Sequence, residues 1–309
     1  MKIIYFGSSK FSLIVLENLC RAGFVPALIV SQPDKPKGRG LKSNPTEVSE
    51  YAQKTNIALI KPSSLKSGKV INEIAGFAAD LFIIADYGKI LPKELLSLPK
   101  IAPLGVHPSL LPAYRGPAPI NWALINGDKE TGVSIFKMNE GLDTGDVVLQ
   151  KKIPINDADN AYTLHAKLAI EGVKVLIEAI PGLKKCICAL KPQSEEFSSF
   201  APKLAKEDGK INWGTEAIRI RNLVRATLGW PSAYAYYKNK MIKIIDSEVI
   251  FEQPQNKPSI IDRIDKEGIY VSTTRNLLKI KRLKPQGKNE MDAYSFVIGH
   301  KVAVGDKFE

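Results

Sequence analysis

A histidine and an aspartate are the two side chains in this sequence whose surroundings point most directly to proton transfer. His107 lies in the run 105–116, and Asp143 lies in the later run 140–145. Both are predicted at strand ends, where open α/β sheets form their sites. A carboxylate favours the charged form of a neighbouring imidazole, which can stabilise an oxyanion or relay a proton in acyl transfer. On residue type and spacing alone, a structural role for both side chains remains the alternative.

Alternating strands and helices in the first half of the chain must position this pair. The run Leu81–Ala85 is apolar without interruption, which is typical of a strand buried on both faces of a parallel sheet. Further strands are predicted at residues 2–6, 27–30, 58–60, 132–136 and 147–150. Apolar periodicity predicts helices near residues 13–20, 51–54 and 164–180, the last ended by Pro181 and Gly182. This order predicts a Rossmann-like, doubly wound α/β sheet domain.

The first turn and the metal-ligating residue types argue against two classes of cofactor. Residues 7–11 read Gly-Ser-Ser-Lys-Phe and lack the Gly-x-Gly-x-x-Gly spacing that brings a backbone close to a dinucleotide pyrophosphate. The histidines and cysteines lack the paired spacing of a metal site, so we expect no metal. We expect Cys20, Cys186 and Cys188 to be reduced and structural.

The second half of the chain changes character after residue 188. Residues 189–207 lack periodicity and are rich in Ser and Pro, which predicts a linker. Helical spacing returns over residues 218–224. Five short β-rich segments follow at residues 233–237, 241–245, 269–272, 277–283 and 301–304. They predict a small OB-like β-barrel, so the expected organisation is a domain at 1–188, a linker at 189–207 and a second domain at 208–309.

Charge is the feature of the composition that says most about partners. The 309 residues carry a formal net charge of +12, and the sequence pI is near 9.4. Residues 206–309 hold 19 Lys and Arg against 13 Asp and Glu, a density that suits a polyanion such as RNA. A solubilising charged surface is the alternative. The apolar runs are too short to cross a bilayer and no signal peptide is apparent, so we expect neither membrane insertion nor export.

Several motifs together resemble the folate-dependent formyltransferases. The histidine is followed by Ser-Leu-Leu-Pro at residues 109–112, and later by Leu-Asp-Thr-Gly at residues 142–145. The segment 85–92 before the histidine strand is also similar to that family, as are 200–204 and 230–234 beyond the first domain. The resemblance therefore extends along nearly the whole chain.

The resemblance implies a monomeric, cytoplasmic enzyme that uses 10-formyltetrahydrofolate as co-substrate and formylates the amino group of initiator methionyl-tRNA. His107 would donate to the oxyanion, while Asp143 would hold the imidazole charged and manage a proton through water. The loop at 109–112 would offer an apolar wall and backbone groups to a flat pterin. The residues expected to contact folate are Tyr87, Gly88, Ser109, Leu110, Leu111, Pro112, Asp143, Thr144 and Gly145. Arg115 is expected to anchor this loop.

Two basic segments of the sequence indicate which molecule accepts the formyl group. The loop at 35–42 combines four cations with glycine and proline, which predicts an exposed, mobile loop. By resemblance, Arg39 would insert near the end of the tRNA, and Lys37 and Lys42 would contact phosphates. The run Leu277–Pro285 alternates apolar and basic residues, as in a strand with one face toward phosphates. A charged surface loop and a solvated strand face are the alternatives.

One position departs from the family pattern. The family has Asn two residues before the histidine, and this chain has Gly105. Loss of an oxyanion donor typically costs a factor of ~10² to ~10³ in rate. Three interpretations stay open: a water or another side chain such as Asn121 replaces the amide, the enzyme is slow but sufficient, or the chain only binds.

Two other functions therefore stay open beside the tRNA reaction. A formyltransferase that acts on an amino sugar nucleotide would share His107 and Asp143 but would have less use for the basic loop. An RNA-binding protein without catalysis would fit Gly105 and the basic second domain.

Overall fold

The computed structural model describes residues 1–37, 42–185 and 189–309. Arg39, Cys186 and Cys188 lie outside the described residues, as do the side chains of Lys37 and Lys42. The strands are β1 (Ile3–Gly7), β2 (Leu28–Val30), β3 (Lys35–Lys37), β4 (Lys42–Asn44), β5 (Leu59–Ile60), β6 (Leu81–Ala85), β7 (Ala102–His107), β8 (Glu130–Lys137), β9 (Val147–Pro154), β10 (Tyr234–Tyr237), β11 (Lys240–Ile250), β12 (Ile261–Asp265), β13 (Gly268–Ser272), β14 (Leu277–Pro285) and β15 (Met291–Asp292). The helices are α1 (Lys10–Arg21), α2 (Glu47–Thr55), α3 (Gly68–Ala75), α4 (Lys93–Leu96), α5 (Pro119–Asn126), α6 (Ala161–Lys184), α7 (Ala217–Ala226) and α8 (Ala293–His300).

The chain divides into two compact units. The first unit comprises Met1–Pro119, Glu130–Ile155 and Leu164–Pro202, and the second comprises Ile120–Lys129, Asn156–Thr163 and Lys203–Glu309. Two stretches between residues 119 and 164 therefore belong to the second unit, although the sequence pattern assigns them to the first. The domain boundaries expected from sequence stay a prediction.

A seven-stranded sheet forms the first unit, in the order β5-β2-β1-β6-β7-β8-β9. The pairs from β5 to β7 are parallel, while β7-β8 and β8-β9 are antiparallel. The parallel-dominated α/β sheet is thus confirmed. Every residue of β1, β6 and β7 is buried, which explains their continuous apolar runs. The strand order reverses between β1 and β6, and β7 carries His107 at its carboxyl end.

The second unit contains an antiparallel sheet in the order β10-β11-β14-β13-β12, with β15 paired to β14. The antiparallel domain is confirmed, but the sheet path is not closed, so the OB-like barrel expected from sequence is not. The expected strand at 301–304 is wrong. Lys301 ends α8 with a left-handed φ of +50°, and the chain turns there instead of extending. The apolar core of the second unit includes residues from α7, α8 and five of the strands.

The last residues of the chain contact both outer strands of this sheet. On one side, Gly305 N donates to Ile261 O at 2.9 Å, and Ile261 N donates to Asp306 O at 2.8 Å. On the other side, Glu309 exchanges backbone hydrogen bonds of 2.7 and 2.8 Å with Tyr236 of β10. Between them Phe308 is fully buried. Residues 305–309 therefore satisfy backbone groups of both sheet edges.

Helix α6 runs further than the sequence pattern predicts. The pattern ends the helix at Pro181, yet the helix includes Pro181 and continues to Lys184. Pro181 removes the N–H that would bond to the carbonyl four residues earlier, but its own carbonyl still accepts from Lys185 N at 3.3 Å, so helical bonding continues past it. No helix within the described residues, α6 included, is both long and apolar enough to cross a membrane.

The burial of Phe308 yields a stability prediction. All three tryptophans (Trp122, Trp213 and Trp230) belong to the second unit, so their fluorescence follows its unfolding. We expect Phe308→Ala to lower its free energy of unfolding by about 3–5 kcal/mol, because a fully buried aromatic side chain leaves a cavity. Phe251→Ala is the matched control, since that side chain is 84% exposed and should change the value by less than about 0.5 kcal/mol. Equal urea midpoints for the two variants would contradict the packing role of Phe308.

Candidate active site

His107 is buried at the end of β7 with both ring nitrogens facing a defined neighbour. Nε2 lies 2.9 Å from the carbonyl oxygen of Tyr114. A carbonyl oxygen only accepts, so this hydrogen bond requires the proton on Nε2. Nδ1 lies 3.6 Å from Oδ2 of Asp143. Nδ1 is therefore the ring nitrogen that can exchange a proton at the site.

Asp143 reaches His107 by a route that the sequence pattern does not show. Strand β8 runs antiparallel to β7, so its last residue, Lys137, pairs with Leu104 rather than with His107. The loop from residue 138 to 146 must fold back before Asp143 can contact the imidazole. The two residues do meet, but not because their strands end at one carboxyl edge. Asp143 itself has φ +54°, which Asp tolerates better than most residues.

A single turn, Tyr114–Gly116, holds both members of the pair. Its Tyr114 carbonyl accepts from His107, and its Gly116 N–H donates to Asp143 Oδ2 at 2.8 Å. Gly116 has φ +115°, and a Cβ there would come within 2.8 Å of the Ala201 carbonyl oxygen. Glycine is required at this position for both reasons.

The segment after α6 braces this turn through its backbone. Arg115 N donates to Ser199 O at 2.8 Å, and Ala201 N donates to Arg115 O at 2.7 Å. Tyr114 N donates to the Ser199 hydroxyl, also at 2.8 Å. The sequence predicts a linker here, but residues up to Pro202 belong to the first unit.

Gln193 joins the brace to the Asp143 loop. Its Nε2 donates to the carbonyl oxygens of Asp143 at 2.8 Å and Gly145 at 2.7 Å, while its Oε1 accepts from Arg115 Nε at 2.9 Å. Arg115 also pairs with Glu195 at 2.9 Å, and that hydrogen bond lowers the pKa of Glu195. Sequence reasoning missed Gln193, because a glutamine in an aperiodic polar stretch carries no local signal. Arg115 acts as the loop anchor expected from sequence.

The Ser109–Pro112 loop is tied to β8 and β9. Ser134 Oγ accepts from Leu111 N at 2.9 Å and donates to Ser109 O at 2.6 Å. Gln150 Nε2 donates to Leu111 O at 2.7 Å. Several of the backbone groups expected to meet a pterin are therefore already paired, and Leu111 is buried. Leu110 and Pro112 keep part of their surface exposed.

The segment after β6 contributes Tyr87 and Gly88. Tyr87 is 1% exposed and packs edge-on against Phe6, and burial raises its pKa to about 12. Within the described residues its hydroxyl has no hydrogen-bond partner. Gly88 has φ +75°, and Gln32 Nε2 donates to Tyr87 O at 2.6 Å. Tyr87 is thus neutral and part of the core, with one unsatisfied hydroxyl.

The remaining predicted site residues lie in the Asp143 loop. Thr144 Oγ1 donates to Asn139 Oδ1 at 2.9 Å, and a Cβ at Gly145 would overlap the Lys137 carbonyl. Both residues shape the loop. Two exposed apolar side chains nearby in sequence were not predicted: Ile90 is 75% exposed and Leu142 is 49% exposed. Their only sequence signal is an apolar residue inside a polar loop.

Gly105 is explained by its neighbour on β8. It pairs with Phe136, and a Cβ at Gly105 would overlap the Phe136 ring. That ring is buried and lies edge-on to His107, with centroids 6.4 Å apart and planes at 89°. Asn121, the side chain expected to replace a missing amide, donates to Ala226 O at 2.7 Å within the second unit. The amide of Asn121 is therefore already engaged.

The flanks of the basic loop pair with each other. β3 and β4 are antiparallel, with Lys37 opposite Lys42. Arg39 lies outside the described residues, so the expected phosphate contacts stay predictions. Among the described residues, no three His, Cys, Asp or Glu side chains cluster as metal ligands would.

Two family models match consecutive parts of the chain. The formyl transferase model matches residues 1–180, and the model of the formyl transferase C-terminal domain matches residues 203–301. This chain belongs to the formyl transferase family. Relatives of this formyltransferase include a protein named methionyl-tRNA formyltransferase from Thermodesulfovibrio yellowstonii, 44% identical over 98% of this chain and 97% of the relative. A protein of the same name from Alkaliphilus oremlandii is 40% identical over 99% of both chains.

Solved structures share the fold of this formyltransferase. HypX from Aquifex aeolicus, in complex with tetrahydrofolic acid, superposes with a TM-score of 0.67 at 17% identity, over 99% of this chain and 48% of HypX. An N-formyltransferase from Helicobacter canadensis, in complex with folinic acid and dTDP-3-aminofucose, gives 0.66 at 20% identity over 91% of this chain and 98% of its own. At these identities the likeness concerns the fold alone.

The contact between Gly105 and Phe136 predicts the result of restoring the family residue. We expect Gly105→Asn to lower both stability, by about 1–3 kcal/mol, and the rate of formyl transfer, because the new side chain displaces a buried ring. Adding Phe136→Leu should recover part of both losses, and a double-mutant cycle measures the coupling. A folded Gly105→Asn variant with a higher rate would show that the site merely lacks an amide donor.

The hydrogen bonds of Gln193 predict a positioning role. We expect Gln193→Leu to lower kcat by roughly 10-fold or more with little change in KM for the formyl acceptor, because the Asp143 loop loses its hydrogen bonds to the Gln193 amide and small displacements at a reacting group are costly. Steady-state kinetics test this against Gln53→Leu, an exposed residue of α2. If Gln193→Leu changes only the unfolding midpoint and leaves kcat intact, Gln193 is merely structural.

Proposed function

We propose that this formyltransferase moves the formyl group of 10-formyltetrahydrofolate to the free amino group of initiator methionyl-tRNA. One observation supports the chemistry above all others: a buried imidazole and a carboxylate lie 3.6 Å apart and are held by one turn. The acceptor is supported by relatives of 40–44% identity, all named methionyl-tRNA formyltransferase, that match the chain along nearly its whole length. The complex of HypX with tetrahydrofolic acid supports folate as the formyl donor.

The site must support three steps of the reaction. The uncharged amine attacks the formyl carbon, the carbonyl oxygen becomes an oxyanion, and the folate nitrogen leaves with a proton. His107 would donate from Nδ1 to the oxyanion, since its Nε2 proton is already used by Tyr114. Asp143 would take the proton lost by the amine, through water, and return it to the leaving nitrogen. Overall one proton moves from the amine to the folate.

Folate would lie against the loops that surround this pair. The exposed parts of Leu110, Pro112, Ile90 and Leu142 suit an apolar wall for a pterin. Tyr87, which is almost fully buried, would support the pocket wall from the core side. The wider set proposed to shape this pocket is Tyr87, Gly88, Ser109, Leu110, Leu111, Pro112, Asp143, Thr144 and Gly145.

The tRNA would meet the basic loop and the second unit. Lys37 and Lys42 are proposed to contact phosphates, and Arg39 to approach the acceptor end. The second unit is proposed to act as an OB-like tRNA-binding domain, and the hydrogen bonds of residues 305–309 to both sheet edges support a barrel-like closure. A monomer in the cytoplasm, where aminoacyl-tRNA is used, completes the proposal.

A formylation assay tests the function. Purified protein is incubated with 10-formyltetrahydrofolate and either charged initiator tRNA or an amino sugar nucleotide, and formylated product is measured. We expect product only with the tRNA, and a rate at least ~10²-fold lower for His107→Ala and Asp143→Asn, because each removes an acid–base or oxyanion contribution. His300→Ala is the control, since that histidine stacks on Phe296 in the second unit.

Two results would contradict the proposal. Product with the amino sugar nucleotide alone would identify the other formyltransferase class as correct. Near-normal turnover of a folded His107→Ala or Asp143→Asn variant would show that the assigned pair does not carry the reaction.

A further inference from the structure

A basic groove lies along α7, and its lining belongs entirely to the second unit. It has a volume of about 720 Å³. Helix α7, the end of α5, the start of the 156–163 stretch and the segment before α7 form its walls. The charged side chains of the lining are five cations and one carboxylate: Lys129, Lys210, Arg219, Arg221, Arg225 and Asp157.

Two of these cations form the fixed part of the groove. Arg225 Nη1 donates to the carbonyl oxygens of Asn156 at 3.2 Å and Asp159 at 3.1 Å. Arg221 Nη2 donates to the Asp157 carbonyl at 2.5 Å, and its Nη1 lies 3.9 Å from the Asp157 carboxylate. These bonds hold the 156–159 backbone against α7. The Nη1 hydrogen bonds of Arg225 go to neutral carbonyl groups rather than to a carboxylate.

The other three cations are exposed and available. Lys129, Lys210 and Arg219 have no carboxylate within 4.0 Å among the described residues. Their positive charge is therefore not neutralised by the protein itself. An anion that enters the groove would meet three solvated cations without first breaking an ion pair.

The basic strand β14 differs in this respect. Lys279 pairs with Glu267 at 3.2 Å, Lys281 with Asp246 at 3.1 Å and Arg282 with Glu290 at 2.8 Å. Lys279 is also buried. Alternation of charge along this strand suggested a phosphate-binding face, but these cations are satisfied within the domain. Of the four cations of β14 only Lys284 is without such a carboxylate in the described part of the chain, whereas the groove brings three cations of this kind together.

We propose that the groove along α7 binds the sugar–phosphate backbone of the tRNA that accepts the formyl group. The inference rests on the proposed function and assigns a surface to its RNA substrate. Residues 219 to 225 span about 9 Å of helix axis. Lys129 and Lys210 come from other walls of the groove, so the free cations would meet more than one phosphate. Contacts of this kind supply affinity and orientation but carry no sequence information. The groove would therefore strengthen tRNA binding without distinguishing the initiator from other tRNAs.

The test compares two triple variants of equal charge change. The groove variant carries Lys129→Gln, Lys210→Gln and Arg219→Gln, and the control carries Lys281→Gln, Arg282→Gln and Arg263→Gln, three cations that each pair with a carboxylate of the second unit. Binding of uncharged, labelled initiator tRNA is measured by fluorescence anisotropy across a salt series. Tryptophan fluorescence checks that the second unit is folded in both, and each groove substitution is also measured singly.

The groove variant should bind tRNA roughly tenfold or more weakly than wild type. The plot of the logarithm of the binding constant against the logarithm of the salt concentration should have a slope shallower by about 2–3, because about one unit is lost for each phosphate contact removed. The control variant should bind tRNA about as tightly as wild type does. The affinity of the groove variant for an elongator tRNA should fall by the same factor as its affinity for the initiator tRNA. KM for folate should not change. Equal weakening in both variants, or none in the groove variant, would overturn the proposal.

The tRNA-binding measurement tests the groove, and the formylation assay tests the proposed function. If wild type formylates methionyl-tRNA but the groove variant binds as wild type does, the groove inference fails and the proposed function stands. If wild type gives no formylated tRNA yet the groove variant selectively loses tRNA binding, the function fails and the groove remains an RNA site.

Discussion

The turn Tyr114–Gly116 is the constraint on which the site depends. One of its peptide groups accepts from His107 and another donates to Asp143. The two side chains are therefore positioned by backbone groups rather than by their mutual attraction. Buried backbone groups must be paired, so the turn cannot shift without breaking one of these bonds. A change of conformation here would move the imidazole and the carboxylate together.

The segment after α6 holds that turn in place, although it has almost no regular secondary structure. Ser199 and Ala201 pair with the backbone of Arg115, and Gln193 ties Arg115 to the Asp143 loop. Such irregular segments open locally more readily than sheet strands do. The order of the Asp143 loop, and with it the His107–Asp143 contact, is consequently coupled to the order of a stretch about 50 residues further along the chain.

Gly105 and Phe136 form one structural feature rather than two independent positions. Because they are register partners on adjacent strands, a buried ring at one position leaves space only for glycine at the other. The ring places an apolar edge beside His107. An apolar neighbour lowers the local dielectric constant, which strengthens the interaction of the imidazole with nearby charge. The amide donor expected from the family pattern is absent at this position. His107 therefore carries more of the oxyanion stabilisation in the mechanism proposed above.

The sequence by itself determined the α/β order, the buried strand β6, the antiparallel second domain, and the two residues that meet at the site. Continuous apolar runs and short motifs carry that information locally. It did not determine the edge strand β12, whose sequence Ile-Asp-Arg-Ile-Asp is mostly polar, or the strand expected at 301–304, where α8 ends in a turn. Only the tertiary structure decided that Asp143 returns from an antiparallel strand, that Gln193 braces it, and that three of the four cations of β14 pair with carboxylates. Each depends on contacts between residues far apart in the chain, which no local pattern encodes.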